Sequence, residues 1–278
     1  MINQPLYEDI VALALEEDLG SAGDLTTEST IPVDAEARGE VRTRRPGVIA
    51  GLDVARYVFA EFDESLIFDT RVQDSDRVEA SRVIATVEGA ARSILSAERT
   101  ALNFLARMSG VATQTALLVD AVEGTGARIA DTRKTMPGLR ALDKYAVRMG
   151  GGMNHRFGLH DAVMIKDNHI AAAGSISAAV EAARSRVGHT VTVEVEVETL
   201  KQLEELLDTD TDIVLLDNMA PVQLAEAVRM VDGQMTTEAS GGVTLDTVRE
   251  IAESGVDVIS VGWITHSAPQ LDIGLDFV

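Results

Sequence analysis

Arg133, Lys134, His155, Arg156 and Lys166 fall within one stretch, Ala130 to Ile170, that reads ADTRKTMPGLRALDKYAVRMGGGMNHRFGLHDAVMIKDNHI. Cations packed this densely suit the capture of a strongly anionic small molecule. Arginine forks match carboxylate and phosphate oxygens two at a time, and clustered charge focuses potential in a cleft. The stretch carries seven Lys or Arg against four Asp, inside a chain whose formal charge is −21. A solvated basic helix face is the plain alternative. Three of the five histidines (His155, His160, His169) lie in the same stretch and weigh against it. Lysine occurs at only four positions, 134, 144, 166 and 201, so Lys134 and Lys166, beside the turns of the basic run, read as required.

Four further constellations could complete such a site. Asp131-Thr132-Arg133-Lys134-Thr135 precedes Pro137 and Gly138, placing two cations near a helix N-terminus with its unpaired N–H groups; a surface turn salt-bridged to Asp131 is equally compatible. Gly150, Gly151 and Gly152 ahead of Asn154, His155 and Arg156 allow close backbone approach to a ligand, with a protonated His155 able to donate to a carboxylate; a flexible linker is the alternative. Ser240-Gly241-Gly242, together with Gly262 at the end of a later strand, suits a phosphate held by backbone N–H groups. Glu196 and Asp217 offer the hard oxygen ligands that suit Mg2+ shared with substrate phosphates, although a hydrogen-bonded structural pair would look the same. Asp167 and Asn168 fit loop caps as well as ligands. Arg99, in SAERTALN, reads on spacing alone as a partner for a neighbouring Glu.

The elements that must position these residues form a rhythm. From about Arg128 onward six short strands (ARIAD, DAVMIKD, TVTVEVEV, DIVLLDN, MTTEASGG, DVISVGW) alternate with amphipathic helical stretches, the pattern of parallel βα units. The candidate residues fall at the carboxyl ends of these strands, where barrel enzymes assemble their sites. In TVTVEVEV a period of two places Val191, Val193, Val195 and Val197 on one face and Thr192, Glu194 and Glu196 on the other. With the valines against helices, both glutamates point inward, where a cation or sugar hydroxyls must meet them. The first hundred residues read as an α+β domain: a helix in PLYEDIVALALEEDLG closed by Gly20, a turn at GDLTT, short strands, and a helix in DVARYVFAEF. SILSAERTALNFLARMSGVATQTALLVDAV is a long helix with Ser109 and Gly110 as its point of kinking. The predicted boundary lies near Gly110.

Composition bounds the rest. With 278 residues, 46% hydrophobic and 4% aromatic, the chain is globular and packs mainly aliphatic side chains. No run approaches 18 apolar residues, and MINQPLYEDIV lacks a signal-peptide pattern, so the cytoplasm is the expected location. Without cysteine there is no disulfide or thiolate chemistry. The acidic balance disfavours nucleic acid. Forty-five Asp plus Glu with Arg favoured over Lys fits a protein working in high salt, where self-repulsion is screened.

The strings EDLGSAGDLTT, ERTALNFLARMSGVAT, the whole basic run, VEVEVE, LLDNM, EASGGV and SVGWITHSAP, in this order over nearly the whole chain, resemble the quinolinate phosphoribosyltransferases. The resemblance implies an α/β chain with an open, incomplete, TIM-like βα barrel (111–268) behind an N-terminal α+β domain (1–110) to which a tail (269–278) returns. It implies a homodimer with sites shared between subunits, and leaves room for a higher oligomer. For the site it implies Arg99 (reaching across the dimer), Arg133, His155, Arg156 and Lys166 around quinolinate, with Lys134 on the diphosphate side and Thr135 among the substrate-binding residues. Glu196 and Asp217 would serve the ribose hydroxyls and Mg2+, and Ser240, Gly241, Gly242 and Gly262 the 5′-phosphate. Lys134, Glu196 and Asp217 are the implied catalytic set. A related barrel acting on another base is one alternative; a phosphosugar isomerase or aldolase barrel with Lys166 as base or Schiff-base former is another.

Overall fold

The computed structural model describes residues 2–278. In chain order the elements are α1 (Glu8–Leu19), α2 (Leu25–Thr30), β1 (Glu36–Thr43), β2 (Gly47–Val48), α3 (Leu52–Phe62), β3 (Ile67–Thr70), β4 (Arg77–Val78), β5 (Val83–Ala90) and α4 (Ala91–Ala121). There follow β6 (Arg128–Ala130), α5 (Arg140–Met149), β7 (Val163–Ile165), α6 (Asp167–Ala173), α7 (Ile176–Arg184), β8 (Val193–Val197), α8 (Leu200–Leu207), β9 (Ile213–Asp217) and α9 (Pro221–Val231). The chain ends with β10 (Thr236–Ser240), α10 (Val248–Glu253), β11 (Val258–Ser260), α11 (Trp263–His266) and β12 (Ile273–Phe277). Contacts divide the chain into two compact units. One gathers the chain up to Ala116 with Thr135–Gly151 and Ile264–Val278; the other comprises Leu117–Lys134 and Gly152–Trp263.

The first unit is built on an antiparallel sheet of order β12-β1-β5-β3, with Gly39 opposite Phe277 and Val87 on its two sides. Val41 faces Ala85 across the β1–β5 ladder and is buried with Ala85 and Val87, while Ile84 and Thr86 bury the other face of β5; Val58 and Phe59 of α3 are also buried. Helix α3 starts where the Asp74 carboxylate accepts N–H bonds from Gly51 and Leu52 (3.0 and 3.1 Å) and the Tyr145 hydroxyl (2.7 Å). One expectation fails here. GDLTT is not a turn, because Asp24 accepts the Thr27 N–H at 2.9 Å and so caps α2. Helix α4 is the long helix expected, running for 31 residues through Ser109 and Gly110, and the Ser109 hydroxyl accepts the Ala50 N–H at 3.0 Å.

The second unit holds six parallel strands in the order β6-β11-β10-β9-β8-β7, with helices α7 to α10 connecting them. The first strand pairs with the last, Ala130 opposite Ser260. Among the described residues no ladder joins β6 to β7, so hydrogen bonds do not close the barrel. The open edge falls where the basic run interrupts the βα rhythm: residues 135–151 group with the first unit, and the chain returns to make one parallel bridge, Ala130 to Met153. Val193, Val195 and Val197 of β8 are fully buried, as their alternation required.

Candidate functional site

Asp131 anchors the returning segment. It is fully buried at the end of β6, and its two oxygens accept from the His155 N–H (2.9 Å) and the Asn154 side-chain amide (2.6 Å). A surface turn salt-bridged to Asp131 is thereby excluded. His155 is fixed on both sides: Nδ1 accepts the Arg156 N–H at 2.8 Å, while Nε2 lies 3.0 Å from Glu194 Oε2 and 3.5 Å from Glu238 Oε1. These roles assign the ring proton to Nε2. Arg156 donates to the Ala162 carbonyl at 3.0 Å, and burial followed by the like charge of Arg133 depresses its guanidinium below the ordinary value.

Lys166 lies at the end of β7 and its ammonium bonds Glu196 at the end of β8. The inward glutamates therefore meet the protein's own cations, Glu194 facing His155 and Glu196 facing Lys166. Asp217 ends β9 directly opposite Ser240 of β10. Burial, then the nearby Glu196 charge, raises the Asp217 carboxyl above its usual value, partly offset by Lys166 and by the Asn218 amide. Asn218 donates to Asp217 Oδ2 at 2.6 Å, and its backbone N–H reaches the Ser240 carbonyl at 2.9 Å. A Cβ on Gly241, whose φ is +92°, would collide with the Asn218 side chain, so only glycine fits there. Trp263 Nε1 donates to the Val243 carbonyl at 2.9 Å, tying the turn after β10 to the segment carrying Gly262.

Within the second unit, then, Arg133, Lys134, His155, Arg156, Lys166, Glu196, Asp217, Ser240, Gly241, Gly242 and Gly262 all belong to the strand ends and their following loops. Lys134 is exposed, its N–H turned onto the Thr132 hydroxyl at 3.0 Å. Two of the proposed residues belong to the first unit: Thr135, whose hydroxyl accepts from Arg140 at 3.0 Å, and Arg99, which is 64% exposed and 3.7 Å from Glu98. The triple glycine serves packing in part, since a Cβ at Gly150 would strike the Ala112 carbonyl of α4. His169 caps α6 by accepting the Lys166 N–H at 2.9 Å, and His160 is exposed, so neither shares the interior with His155.

Against known proteins, residues 24–109 match the N-terminal domain of quinolinate phosphoribosyl transferase and residues 111–276 its C-terminal domain. The chain belongs to this family. It is 47% identical over 276 residues to the nicotinate-nucleotide pyrophosphorylase (carboxylating) of Mycobacterium leprae, covering 96% of each chain. The structure of NadC from Streptococcus pyogenes superposes with a TM-score of 0.95 at 39% identity, over 100% of this chain and 99% of that one. The nicotinate-nucleotide pyrophosphorylase of Ehrlichia chaffeensis does so with a TM-score of 0.94 at 40% identity, over 98% of each. Membership in the quinolinate phosphoribosyl transferase family removes the phosphosugar isomerase and aldolase readings.

Sequence reasoning passed over Glu238 and Asn218. Alternation held the signal for Glu238: it lies two residues before Ser240 on β10, on the same face. Nothing in the sequence marks Asn218, whose role arises from a positive φ of 55° beside Gly241.

Proposed function

We propose that the cations at the strand ends of the second unit hold quinolinate while the carboxylates and glycine turns hold phosphoribosyl diphosphate. In this family's reaction the phosphoribosyl group passes to quinolinate with decarboxylation, giving nicotinate mononucleotide, CO2 and diphosphate, a step of NAD biosynthesis. The observation that carries the residue assignment is the adjacency of Lys166, Glu196, Asp217 and Ser240 on neighbouring strand ends, bonded or in register. Arg133, His155, Arg156 and Lys166 form the dicarboxylate side, and Arg99 serves the neighbouring subunit of a homodimer. Lys134 faces the diphosphate, and Ser240, Gly241, Gly242 and Gly262 the 5′-phosphate.

The pyridine nitrogen attacks the anomeric carbon, its C–N bond forming as the C–O bond to diphosphate breaks. The positive charge that develops on the ribose is offset by Glu196 and Asp217. The quaternised nitrogen then stabilises the electron pair left on C2 when CO2 departs, and a proton completes the product. Arginines bound to the 3-carboxylate keep it as the anchor. Glu196 and Asp217 also fit Mg2+: two hard-oxygen donors close enough that one raises the other are relieved by a dication. When bound, Mg2+ would neutralise diphosphate charge.

A salt-loving, cytoplasmic enzyme completes the reading, supported by the charge of −21. Among the described residues no helix is long and apolar enough to cross a membrane. The test incubates purified protein with quinolinate, phosphoribosyl diphosphate and Mg2+, with and without molar KCl. Stoichiometric nicotinate mononucleotide and CO2, faster in KCl, are expected. Turnover of nicotinate in place of quinolinate would overturn the substrate, and equal folding and activity without salt would overturn the salt requirement. Light scattering must give twice the 29.7 kDa chain mass or a multiple of it.

A further inference from the structure

Behind the proposed quinolinate cations lie two carboxylates that the reaction does not use. Glu194, on the inner face of β8, is 2% exposed, and Glu238, on β10, is 4% exposed. Each has one buried oxygen, Oε1, with no hydrogen-bond partner. Negative charge buried beneath a site for a dianion is an arrangement that simple attraction would select against.

We propose that Glu194 and Glu238 are positioning residues that act through His155 and Arg156 to set the dicarboxylate subsite in its binding geometry before substrate arrives. The inference rests on the assignment of that subsite to quinolinate. His155 is the mechanical link: its Nε2 lies 3.0 Å from Glu194 Oε2 and 3.5 Å from Glu238 Oε1, while its Nδ1 takes the backbone N–H of Arg156. The ring thus connects the barrel interior to the backbone that carries the Arg156 guanidinium. Charge supplies the second link. Arg156 experiences the like charge of Arg133 and the opposite charges of Glu194 and Asp161. Without Glu194, only Asp161 would be left to offset the repulsion between the two guanidiniums. The groups surrounding the carboxylate pair are His155 and Asp131 on the returning loop and β6 end, Ser260 on β11, and Arg156. The ligand atoms of His155, Glu194 and Glu238 lie within 4.8 Å of one another, a spacing a cation could also use. The ring proton on Nε2 and the Arg156 charge nearby favour the hydrogen-bonded arrangement.

The two views predict opposite signs. If the acids only oppose the substrate's charge, removing one tightens quinolinate binding; if they position, removing one weakens it. The experiment measures quinolinate binding by calorimetry and both KM values for the full-length dimer carrying Glu194→Ala, Glu194→Gln, Glu238→Ala or Glu238→Gln. Each Ala variant is expected to weaken quinolinate at least tenfold with KM for phosphoribosyl diphosphate within twofold, and each Gln variant, which keeps an acceptor for Nε2–H, to recover most of the loss. Imidazole nitrogen NMR should show the Nε2–H tautomer of His155 in the wild type and in the Gln variants, a readout that stands if an Ala variant fails to fold. Unchanged or tighter quinolinate binding in folded Ala variants would overturn the proposal. So would Zn2+ or Mn2+ bound by the wild type and lost in Glu238→Gln, which would make the trio a metal site. Wild-type protein that does not bind quinolinate at all would instead remove the assignment of the subsite.

Discussion

Each unit buries carboxylates, and the two treat them differently. In the first unit Asp143 is fully buried and fully used: Oδ1 accepts from Arg107 Nε and Nη2 (3.1 and 2.9 Å), and Oδ2 accepts from Nη2 and from the Met136 N–H (3.1 and 3.2 Å). Arg107 also donates to the Thr265 carbonyl. In the second unit Glu194 and Glu238 are almost as buried, yet each has an oxygen without a hydrogen-bond partner. A saturated buried pair stabilises the fold, whereas an unsaturated one carries a desolvation cost that a functional role would account for. Burial of charge by itself therefore does not mark the site; incomplete pairing does.

Substitutions should separate the two kinds of carboxylate by what they damage. Asp143→Ala leaves Arg107 buried without its carboxylate and is expected to lose about 3–5 kcal/mol in urea titrations, with both KM values of the folded protein near wild type. A loss under about 1 kcal/mol would erase the contrast. Lys134→Ala, at the exposed rim, should do the reverse: turnover falls by about 10² or more, equivalent to roughly 3 kcal/mol, with the melting temperature unmoved. Near wild-type kinetics would remove the assignment of Lys134 to the diphosphate.

Glu238→Gln sharpens the comparison through pH. Burial first, then the Glu194 charge, pushes the Glu238 carboxyl from 4.5 up to about 7, against the opposing effects of His155 and Ser260 and with a smaller push from Asp131. Between those values the folded chain binds more protons than the unfolded chain, so this group lowers stability as pH rises from 4.5 to about 7, and the full penalty holds above that. The Gln variant should accordingly be more stable than wild type at pH 8, by on the order of 2–3 kcal/mol, with the advantage shrinking toward pH 4.5. Urea titrations at pH 5 and pH 8 that show no such divergence would contradict it. A Gln variant that gains stability at pH 8 while still binding quinolinate would show that the subsite needs the acceptor facing His155 and not the buried charge. The smallest expected effect is at Asn218→Ala, which frees the Asp217 carboxylate and should reduce kcat/KM for phosphoribosyl diphosphate by about tenfold. A matching change in kcat/KM for quinolinate alone would place Asn218 on the wrong side of the site.

Much of this was legible beforehand because local rules carry it. Six strands, their helices and the inward face of β8 follow from a period of two set against a period of 3.6, and burial honours both. Local rules also misled. GDLTT looks like a turn because Gly23 precedes Asp24, yet the same aspartate is an N-cap, and the competition between the two is settled by the residues that follow.

The sequence by itself determined the chemistry on offer, since the density and types of side chain in the basic run, the glutamates alternating on one strand and the glycine turns are properties of the linear chain. It also determined the family, through motifs in order along almost the whole length. Only the tertiary structure decided which charge answers which: Lys166 with Glu196, His155 with Glu194 and Glu238, Asn218 with Asp217. Apart from Asn218 and Asp217, which are chain neighbours, those pairs join residues from different strands and loops, and a parallel βα topology brings strand ends together at separations no local periodicity encodes. Electrostatic free energy depends on distance and burial, and both exist only once the strands are aligned.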